Sequence, residues 1–370
     1  MVAVERLENS IDIHAADATA SGRPPQLSTL RREMTAARVP SMKPVASRIT
    51  ADKPCLPPFS KEQTRFLQED LLRDVSRSFY LTLRVLPAEI RPQISLAYLL
   101  ARASDTIADT EPASHEERLT ILRQMRDGDV GTTFLSRLSA LAESRQECRS
   151  HGETALLHRV DECFAMLDAV SPPDRKLIRD LLHTIITGQI FDLEHFPEGK
   201  LTALANHEEL DRYTYLVAGC VGEFWTKMCQ AHLPGLEQLS IEDGVRFGKG
   251  LQLVNVLRDI GEDRRRGRQY LSDLGDYQRW LDRAAEHLDA GWRYTLAIPP
   301  RHWRLRLACI WPIWIGLKTI ARLRGENPLD PARRVKISRG EVYAIMMRSF
   351  LICRSDRALE RHYTRLWACK

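Results

Sequence analysis

The sequence predicts an all-α protein, and three observations support this fold class. From Ser60 onward, apolar residues recur with the period of a helix rather than with the strict alternation of a strand. Runs rich in β-branched residues are nearly absent, and proline and glycine interrupt the helical pattern at intervals typical of interhelical loops. Because 44% of the 370 residues are hydrophobic, the chain can bury a sizeable core.

The helical segments follow one another between these interruptions, so the breaks define the elements in order. We expect one helical domain over residues 59–370, preceded by a flexible tail over residues 1–58 that lacks sustained periodicity. A transit peptide is the alternative for the tail, but its acidic residues argue against a typical one. The predicted loops lie at Pro87, Gly128 to Gly131, Pro172-Pro173, Pro197 to Gly199, Pro234-Gly235, Gly267, Pro299-Pro300 and Gly325 to Pro331.

Composition argues against several classes of protein. The net charge of +5 is modest and arginine is dispersed among acidic residues, so nucleic acid is not an expected partner. The eight cysteines form no C-x-x-C pair and no zinc-binding spacing, which indicates a reduced compartment. The most apolar late stretch, Leu307 to Leu317, is too short to span a bilayer, and no secretory signal is visible. We therefore expect a cytoplasmic monomer without a transmembrane anchor.

Two widely separated aspartate-rich segments are the most informative feature of the chain. The first contains Asp105 and Asp109, which lie four residues apart and therefore share one face of a helix. Tyr98 and Arg102 continue the same stripe, and apolar residues border it on both sides. A solvated helix face is the ordinary explanation for an isolated carboxylate pair. A polar stripe between apolar residues is more typical of a cavity wall.

The second segment repeats this pattern with Asn255, Asp259 and Asp263, while Gln252 and Arg258 add polar groups beside them. Magnesium prefers oxygen ligands but releases water reluctantly, so it usually takes one or two carboxylates and completes its shell with water and substrate phosphate. Two such segments therefore suit Mg²⁺ bound to a diphosphate.

Basic and hydroxyl residues near both segments are candidates for binding that diphosphate. Ser76, Arg77 and Ser78 precede the first segment, and the planar guanidinium of Arg77 can bind phosphate oxygens. A basic run that includes Arg268 follows Asp263 directly, with a solvated loop as the alternative.

Two further segments carry candidate residues. Small residues recur from Val217 to Gly222, where another helix or a ligand tail can approach closely. Near the end of the chain, Lys336, Ser338 and Arg339 are candidates for holding a phosphate-bearing cofactor. Ordinary surface charge explains these three residues equally well.

Four motifs in this order carry a resemblance to a known family. They are Ser76-Arg77-Ser78-Phe79, Tyr98-x-x-x-Arg102-x-x-Asp105-Thr106-x-x-Asp109, Tyr213-x-x-x-Val217-Ala218-Gly219-x-Val221-Gly222 and Asn255-x-x-Arg258-Asp259-x-x-Glu262-Asp263. Together they resemble the squalene and phytoene synthase family, and the resemblance covers essentially Phe59 to about Tyr363.

The resemblance implies an isoprenoid synthase fold, a single helical domain around a central cavity. It implies two farnesyl diphosphates as substrates, Mg²⁺ as cofactor, and presqualene diphosphate as the intermediate that NADPH reduces to squalene, a sterol or hopanoid precursor. The implied roles are catalysis by Tyr213, Tyr98, Arg102 and Arg258, diphosphate binding by Ser76, Arg77, Ser78, Arg102, Gln252, Asn255, Arg258 and Arg268, metal binding by Asp105, Asp109, Asn255, Asp259 and Asp263, and NADPH binding by Lys336, Ser338 and Arg339.

Within the family, the Asp105-Thr106 pair and the segment from Val335 to Gly340 resemble squalene synthases more than phytoene synthases. One alternative is a non-reducing relative that makes presqualene diphosphate, dehydrosqualene or phytoene. A more remote alternative is a non-catalytic assembly or binding protein of the same fold. Ala108 departs from the family pattern, which commonly has a polar residue there, so one auxiliary metal or phosphate contact is in doubt.

Peripheral contact with a membrane is a further expectation, because squalene is insoluble in water. The candidate residues are Trp292, Trp303, Trp311 and Trp314, and buried aromatic packing is the alternative explanation for them.

Overall fold

The computed structural model describes residues 66–76, 79–144, 151–327, 329–330 and 335–368. The tail predicted over residues 1–58 lies outside these ranges. A π-helical turn, Phe66–Leu71, precedes the first helix. The helices are α1 Leu72–Ser76, α2 Phe79–Val85, α3 Arg91–Ala108, α4 His115–Asp127, α5 Thr132–Ser144, α6 His151–Leu157, α7 Val160–Ala169, α8 Pro172–His195, α9 His207–Thr214, α10 Cys220–His232, α11 Ile241–Arg265, α12 Tyr277–Ala297, α13 Trp303–Leu323, α14 Arg339–Ile352 and α15 Asp356–Trp367.

Proline, glycine and serine end or begin the helices where the sequence predicts loops. Pro87 lies in the turn between α2 and α3, and Gly128 caps α4 with a φ of 77°, in the left-handed region that favours glycine. Ser171 accepts a hydrogen bond from the Asp174 N–H, and Pro172 fits the first turn of α8 because that turn needs no N–H donor. Within the described residues, the all-α class is confirmed.

Buried apolar side chains form two clusters. One is built mainly from α3, α4, α7 and α8, and the other from α11 to α15. Val85 and Phe247 pack against both clusters. No helix in the described part of the chain is long and apolar enough to cross a membrane.

Three of the four tryptophans proposed for membrane contact belong to the core. Trp292, Trp311 and Trp314 are buried, and Trp292 stacks on Tyr363 with ring centroids 4.3 Å apart. The Trp311 indole N–H donates a hydrogen bond to Ser349 at 2.9 Å. The prediction of membrane contact through these three residues is therefore wrong, because their large apolar rings fill the interior of the second cluster.

Helices α10 and α11 approach each other at backbone distance. A Cβ atom on Gly222 would lie 1.8 Å from the Gly244 carbonyl oxygen, and one on Gly248 would lie 2.1 Å from the Ala218 carbonyl oxygen. No side chain fits in either place. The small residues between Val217 and Gly222 thus serve the close helix approach that their spacing predicts.

Two short strands fix the chain that follows α11. β1 Thr202–Ala203 and β2 Arg268–Gln269 form a parallel pair. The turn before β2 requires Gly267, whose φ is 83° and whose added Cβ would lie 2.7 Å from the Lys200 carbonyl oxygen. As a result, Arg268 is held close to the C-terminal part of α8.

Candidate active site

A polar pocket lies between α3, α8 and α11. Its wall contains Asp105 and Asp109 from the first aspartate-rich segment, and Gln252 from the helix that carries the second. The pocket encloses about 650 Å³ of empty space, part of which is open to solvent. The fold thus brings the two helices that the sequence singles out to one cavity.

The first segment lies at the C-terminal end of α3. Asp105 is in the last turn and is buried, and its carboxylate accepts a hydrogen bond from Arg102 at 3.0 Å. Asp109 follows the last helical residue, is exposed, and donates its N–H to the Asp105 carbonyl oxygen at 3.0 Å. The C-terminal end of a helix carries partial negative charge, so two carboxylates there favour a bound cation.

The second segment lies along α11, as predicted. The Arg258 guanidinium donates to both carboxylate oxygens of Asp259, from Nε at 2.9 Å and from Nη2 at 2.5 Å. Asn255 is buried one turn earlier, and Asp263 lies one turn later, on the side of α11 that interacts with Tyr270.

The carboxylates of the two segments would supply only part of the coordination shell of Mg²⁺. Among residues 66–76, 79–144, 151–327 and 335–368, no group of three or more His, Cys, Asp or Glu side chains is placed to hold a metal ion. A metal bound in the pocket would therefore take further ligands from substrate and water. This is the usual coordination of Mg²⁺, and it fits a diphosphate that binds together with the ion.

A hydrogen-bonded network joins α8 to the strand β2. The Asp192 carboxylate accepts from Arg268 Nη1 at 2.7 Å and from the Tyr270 hydroxyl at 2.6 Å. The Tyr213 hydroxyl donates to the Tyr270 oxygen at 3.3 Å, and the two rings stack with centroids 4.8 Å apart. Asp192, Tyr213 and Arg268 all line the polar pocket.

Burial and charge fix the protonation state of this network. Burial, together with the neighbouring Asp192 carboxylate, raises the pKa of Tyr270 well above its ordinary value, so Tyr270 remains a hydrogen-bond donor. Burial alone would lower the pKa of Arg268, but Asp192, Tyr270 and Asp109 raise it above the ordinary value. A permanent positive charge is therefore held beside Asp109.

Sequence reasoning missed Asp192 and Tyr270. Asp192 has no second carboxylate four residues away, so it does not show the spacing of the two aspartate-rich segments. A usable signal was present, because Gln189 and Asp192 form a polar pair within the apolar segment from Ile185 to Leu193. Polar residues three apart share a helix face, and this face lines the pocket.

An apolar pocket lies next to the polar one, and α10, α11 and α13 contribute its walls. Its empty space is about 560 Å³, part of which is open to solvent. Ala218 and Leu251 line it and are the chain neighbours of Val217 and Gln252, which line the polar pocket. The polar and the apolar pocket are therefore lined by neighbouring residues of the same two chain segments.

An open basic groove lies on the other side of the polar pocket. Arg264, Arg265 and Arg266 line it, and it shares Asp109 and Arg268 with the polar pocket. The predicted basic run thus reaches the site. The groove, the polar pocket and the apolar pocket follow one another.

Several predicted residues lie behind the pocket wall. Tyr98 is fully buried and its hydroxyl donates to the Val75 carbonyl oxygen at 3.4 Å. The Ser76 hydroxyl is also buried and donates to the carbonyl oxygen of Leu72. The Tyr98 contact joins α3 to α1, whereas the Ser76 contact lies within α1. Catalysis by Tyr98 and phosphate binding by Ser76 stay predictions. The predicted ligands Arg77 and Ser78 lie outside the described residues.

Both predicted arginines of the aspartate-rich helices bind carboxylates. Arg102 lies between Asp105 and Glu153, a residue of α6 that sequence reasoning did not find. Arg258 binds Asp259 through two hydrogen bonds. Because these guanidinium groups hold aspartates of the two segments, they orient candidate metal ligands.

The residues predicted to bind NADPH lie at the start of α14. Ser338 caps this helix: its oxygen accepts from the Glu341 N–H at 3.3 Å and its hydroxyl donates to the Glu341 carboxylate at 2.8 Å. Arg322 also binds the Glu341 carboxylate and donates to the carbonyl oxygen of Lys336. Lys336, Ser338 and Arg339 line neither of the two pockets. Because the Ser338 hydroxyl is engaged beside a carboxylate, Ser338 itself does not fit a phosphate group in this arrangement, and NADPH binding by Lys336 and Arg339 stays a prediction.

The all-helical fold, with carboxylates and an apolar pocket at its centre, defines a protein of the isoprenoid synthase class. The chain belongs to the squalene/phytoene synthase family, because the family model described as Squalene/phytoene synthase matches residues 72–273.

Known proteins with different activities are similar to this chain. It is 30% identical over 217 residues to the bifunctional lycopene cyclase/phytoene synthase of Blakeslea trispora. The matched region covers 57% of the chain and 32% of that protein. It is 29% identical over 206 residues to the squalene synthase of Eremothecium gossypii. The matched region covers 54% of the chain and 44% of that enzyme. The matched regions therefore span less than half the length of both relatives.

Solved structures show the same fold. A structure of TcSQS with a bound ligand aligns with a TM-score of 0.62 at 20% sequence identity, covering 83% of this chain and 92% of that one.

Proposed function

We propose that the chain is a Mg²⁺-dependent prenyltransferase that condenses two farnesyl diphosphates head to head into presqualene diphosphate. The observation that carries this proposal is the order of the basic groove, the carboxylate-lined pocket and the apolar pocket. An allylic diphosphate has the same order of chemistry, with a charged head and an apolar tail.

Bound Mg²⁺ would neutralise the diphosphate and make it a better leaving group. Asp105 and Asp109 would hold the ion on the α3 side, and Asn255, Asp259 and Asp263 are the candidates on the α11 side. Gln252 and Arg268 line the pocket where the diphosphate would bind. The half-buried positive charge of Arg268 would stabilise the negative charge that develops on the departing group.

After ionisation, C1 of the first substrate would bond to the C2–C3 double bond of the second, and loss of a proton would close the cyclopropane ring. Tyr213 is the candidate for assisting that proton loss, because it lines the pocket and its hydroxyl donates to Tyr270, which in turn donates to Asp192. The walls of the apolar pocket would exclude water, which would otherwise trap the cation as an alcohol.

For the second half of the reaction we prefer reduction of the intermediate by NADPH to squalene, because the segment from Val335 to Gly340 resembles squalene synthases. The second candidate is an enzyme that releases an unreduced product, namely presqualene diphosphate, dehydrosqualene or, with longer substrates, phytoene. The engagement of Ser338 in the helix cap favours this candidate.

Product analysis tests these alternatives. The purified full chain is incubated with farnesyl or geranylgeranyl diphosphate and Mg²⁺, with and without NADPH, and the products are identified by mass spectrometry. Squalene that forms only with NADPH supports the reducing enzyme, and presqualene diphosphate or dehydrosqualene under both conditions supports the second candidate. If neither substrate releases diphosphate when Mg²⁺ is present, the proposed condensation is wrong.

A further inference from the structure

Helix α14 carries an apolar surface that the described part of the fold does not cover. Tyr343, Met347, Phe350 and Leu351 are exposed by 64%, 64%, 58% and 77%. Their spacing of four, three and one residues places them on one face, an arc of roughly 100°. Large apolar side chains clustered at such exposure mark a site of interaction rather than ordinary surface.

The opposite face of α14 is anchored in the core. Ile345 and Ser349 are buried, and Ser349 accepts the hydrogen bond from Trp311 of α13. The helix is therefore held rigidly with its apolar face outward. The exposure of that face does not come from a loosely attached helix.

Basic residues border the exposed face. Arg348 and Arg354 are exposed, and Arg354 lies over the Trp303 ring at 5.1 Å, while Trp303 contacts Phe350 edge to face at 5.9 Å. The guanidinium of Arg304 also lies over the Trp303 ring, 5.9 Å from the ring centroid.

Negative charge is scarce in the same region. Between Val342 and Ser355 the sequence contains two arginines and no acidic residue. The single carboxylate of α14, Glu341, is neutralised by Arg322 and Lys318. The docking face is therefore apolar in the centre and positive at its border.

We propose that this face, defined by Tyr343, Met347, Phe350 and Leu351, docks the protein on an anionic lipid bilayer. A helix with an apolar face and arginines at its edge lies in the interface of a membrane, with its apolar side chains among the acyl chains and its cations near the lipid phosphates. The charge pattern distinguishes a lipid surface from a second copy of this chain, because the arginine borders of two such faces would repel each other.

The position of α14 gives the docking face a relation to the cavity. Helix α13 contributes Ala308, Cys309 and Pro312 to the wall of the apolar pocket, and its other side packs against α14 through Trp311. Helices α13 and α14 thus lie between the apolar pocket and the docking face.

Vesicle flotation tests the proposal without reference to the reaction catalysed. The full chain is mixed with vesicles of phosphatidylcholine alone or of phosphatidylcholine with phosphatidylglycerol, and the bound fraction is measured. We expect binding to the anionic vesicles, weakening in high salt, and a loss of about tenfold or more in M347S/L351S. The matched control is I241S, which removes an exposed apolar side chain at the start of α11 and should bind like the unmodified chain.

A second variant and a second measurement separate the alternatives. R348E/R354E should bind neutral and anionic vesicles alike, and circular dichroism should show that each variant remains folded. Equal binding of M347S/L351S and the unmodified chain, or no binding of the unmodified chain to anionic vesicles, overturns the proposal. So does sedimentation of the unmodified chain as a dimer that M347S/L351S converts to a monomer, since the face would then join two copies.

Discussion

The Tyr270 hydroxyl donates to the Asp192 carboxylate at 2.6 Å, and this contact links the residue that follows strand β2 to helix α8, which lines the polar pocket. The same carboxylate binds Arg268. Asp192 thus holds both the positive charge beside Asp109 and the tyrosine that contacts Tyr213. One buried residue organises a site whose other members come from distant parts of the chain.

Replacement of Asp192 should therefore damage turnover. In Asp192→Asn, the amide can no longer balance the half-buried Arg268 charge, and Tyr270 loses its charged acceptor. We expect kcat with farnesyl diphosphate to fall by about tenfold or more. Asp168→Asn, which removes an exposed carboxylate bound to Arg179, is the control and should leave kcat unchanged. A normal kcat in Asp192→Asn, measured in the same diphosphate-release assay, would refute an organising role.

Loss of Asp109 should change the metal requirement. Asp109→Asn keeps the size of the side chain but removes the charge that would bind Mg²⁺, so we expect kcat/KM to fall by about 100-fold and the half-saturating Mg²⁺ concentration to rise. Asp127→Asn, at the exposed end of α4, serves as the control. If a Mg²⁺ titration of Asp109→Asn matches that of the unmodified protein, Asp109 is not a ligand.

The close approach of α10 and α11 predicts a large effect of one methyl group. Gly222→Ala would place a carbon against the Gly244 carbonyl oxygen, and the helices would have to separate. The free energy of unfolding should fall by about 1–3 kcal/mol or more. Gly340→Ala, where an added Cβ meets nothing within 4 Å, should change it by less than about 0.5 kcal/mol. Urea unfolding measures the free energy of unfolding of both variants. Equal losses in Gly222→Ala and Gly340→Ala would contradict the close approach of α10 and α11.

Buried His287 predicts a loss of stability in mild acid. Burial, reinforced by Arg283 and Lys249, lowers the pKa of His287 to about 3 from 6.5. The unfolded chain therefore takes up a proton near pH 6.5 that the folded protein refuses until about pH 3, and stability falls over that interval.

Between pH 7 and pH 5 this residue alone should account for about 2 kcal/mol of lost unfolding free energy. His287→Gln should show a shallower pH dependence, measured by urea unfolding at each pH. His158→Gln removes an exposed histidine and should retain the full slope. Parallel curves for His287→Gln and the unmodified protein would contradict the buried neutral state.

Residues within one helix were the most predictable part of the site. Asp105 and Asp109 share a face because helical spacing alone determines it, and the structure places both in one pocket. The roles of Arg102 and Arg258 as direct diphosphate ligands remain predictions, since both guanidinium groups bind carboxylates in the structure. Spacing along a helix does not predict which partner a long side chain binds.

Burial of aromatic residues was less predictable. Tyr98 shares the stripe of Asp105, yet it contacts Val75 because α1 packs over that part of α3. Trp311 and Trp314 are core residues, whereas Phe350 is exposed, and all three occur in apolar segments of similar composition. Only the packing of α14 on α13 distinguishes them.

By itself the sequence determined the all-α class, the positions of most helix ends and the two aspartate-rich segments, because these depend on residues close together along the chain. Only the tertiary structure decided that Asp192, Tyr270 and Arg268 meet, since their contact joins α8 to a strand more than seventy residues away, at sequence separations of 78 and 76. It also decided which face of α14 is exposed. A nearly uniform apolar helix has no polar stripe, so its orientation is set by the partner against which it packs.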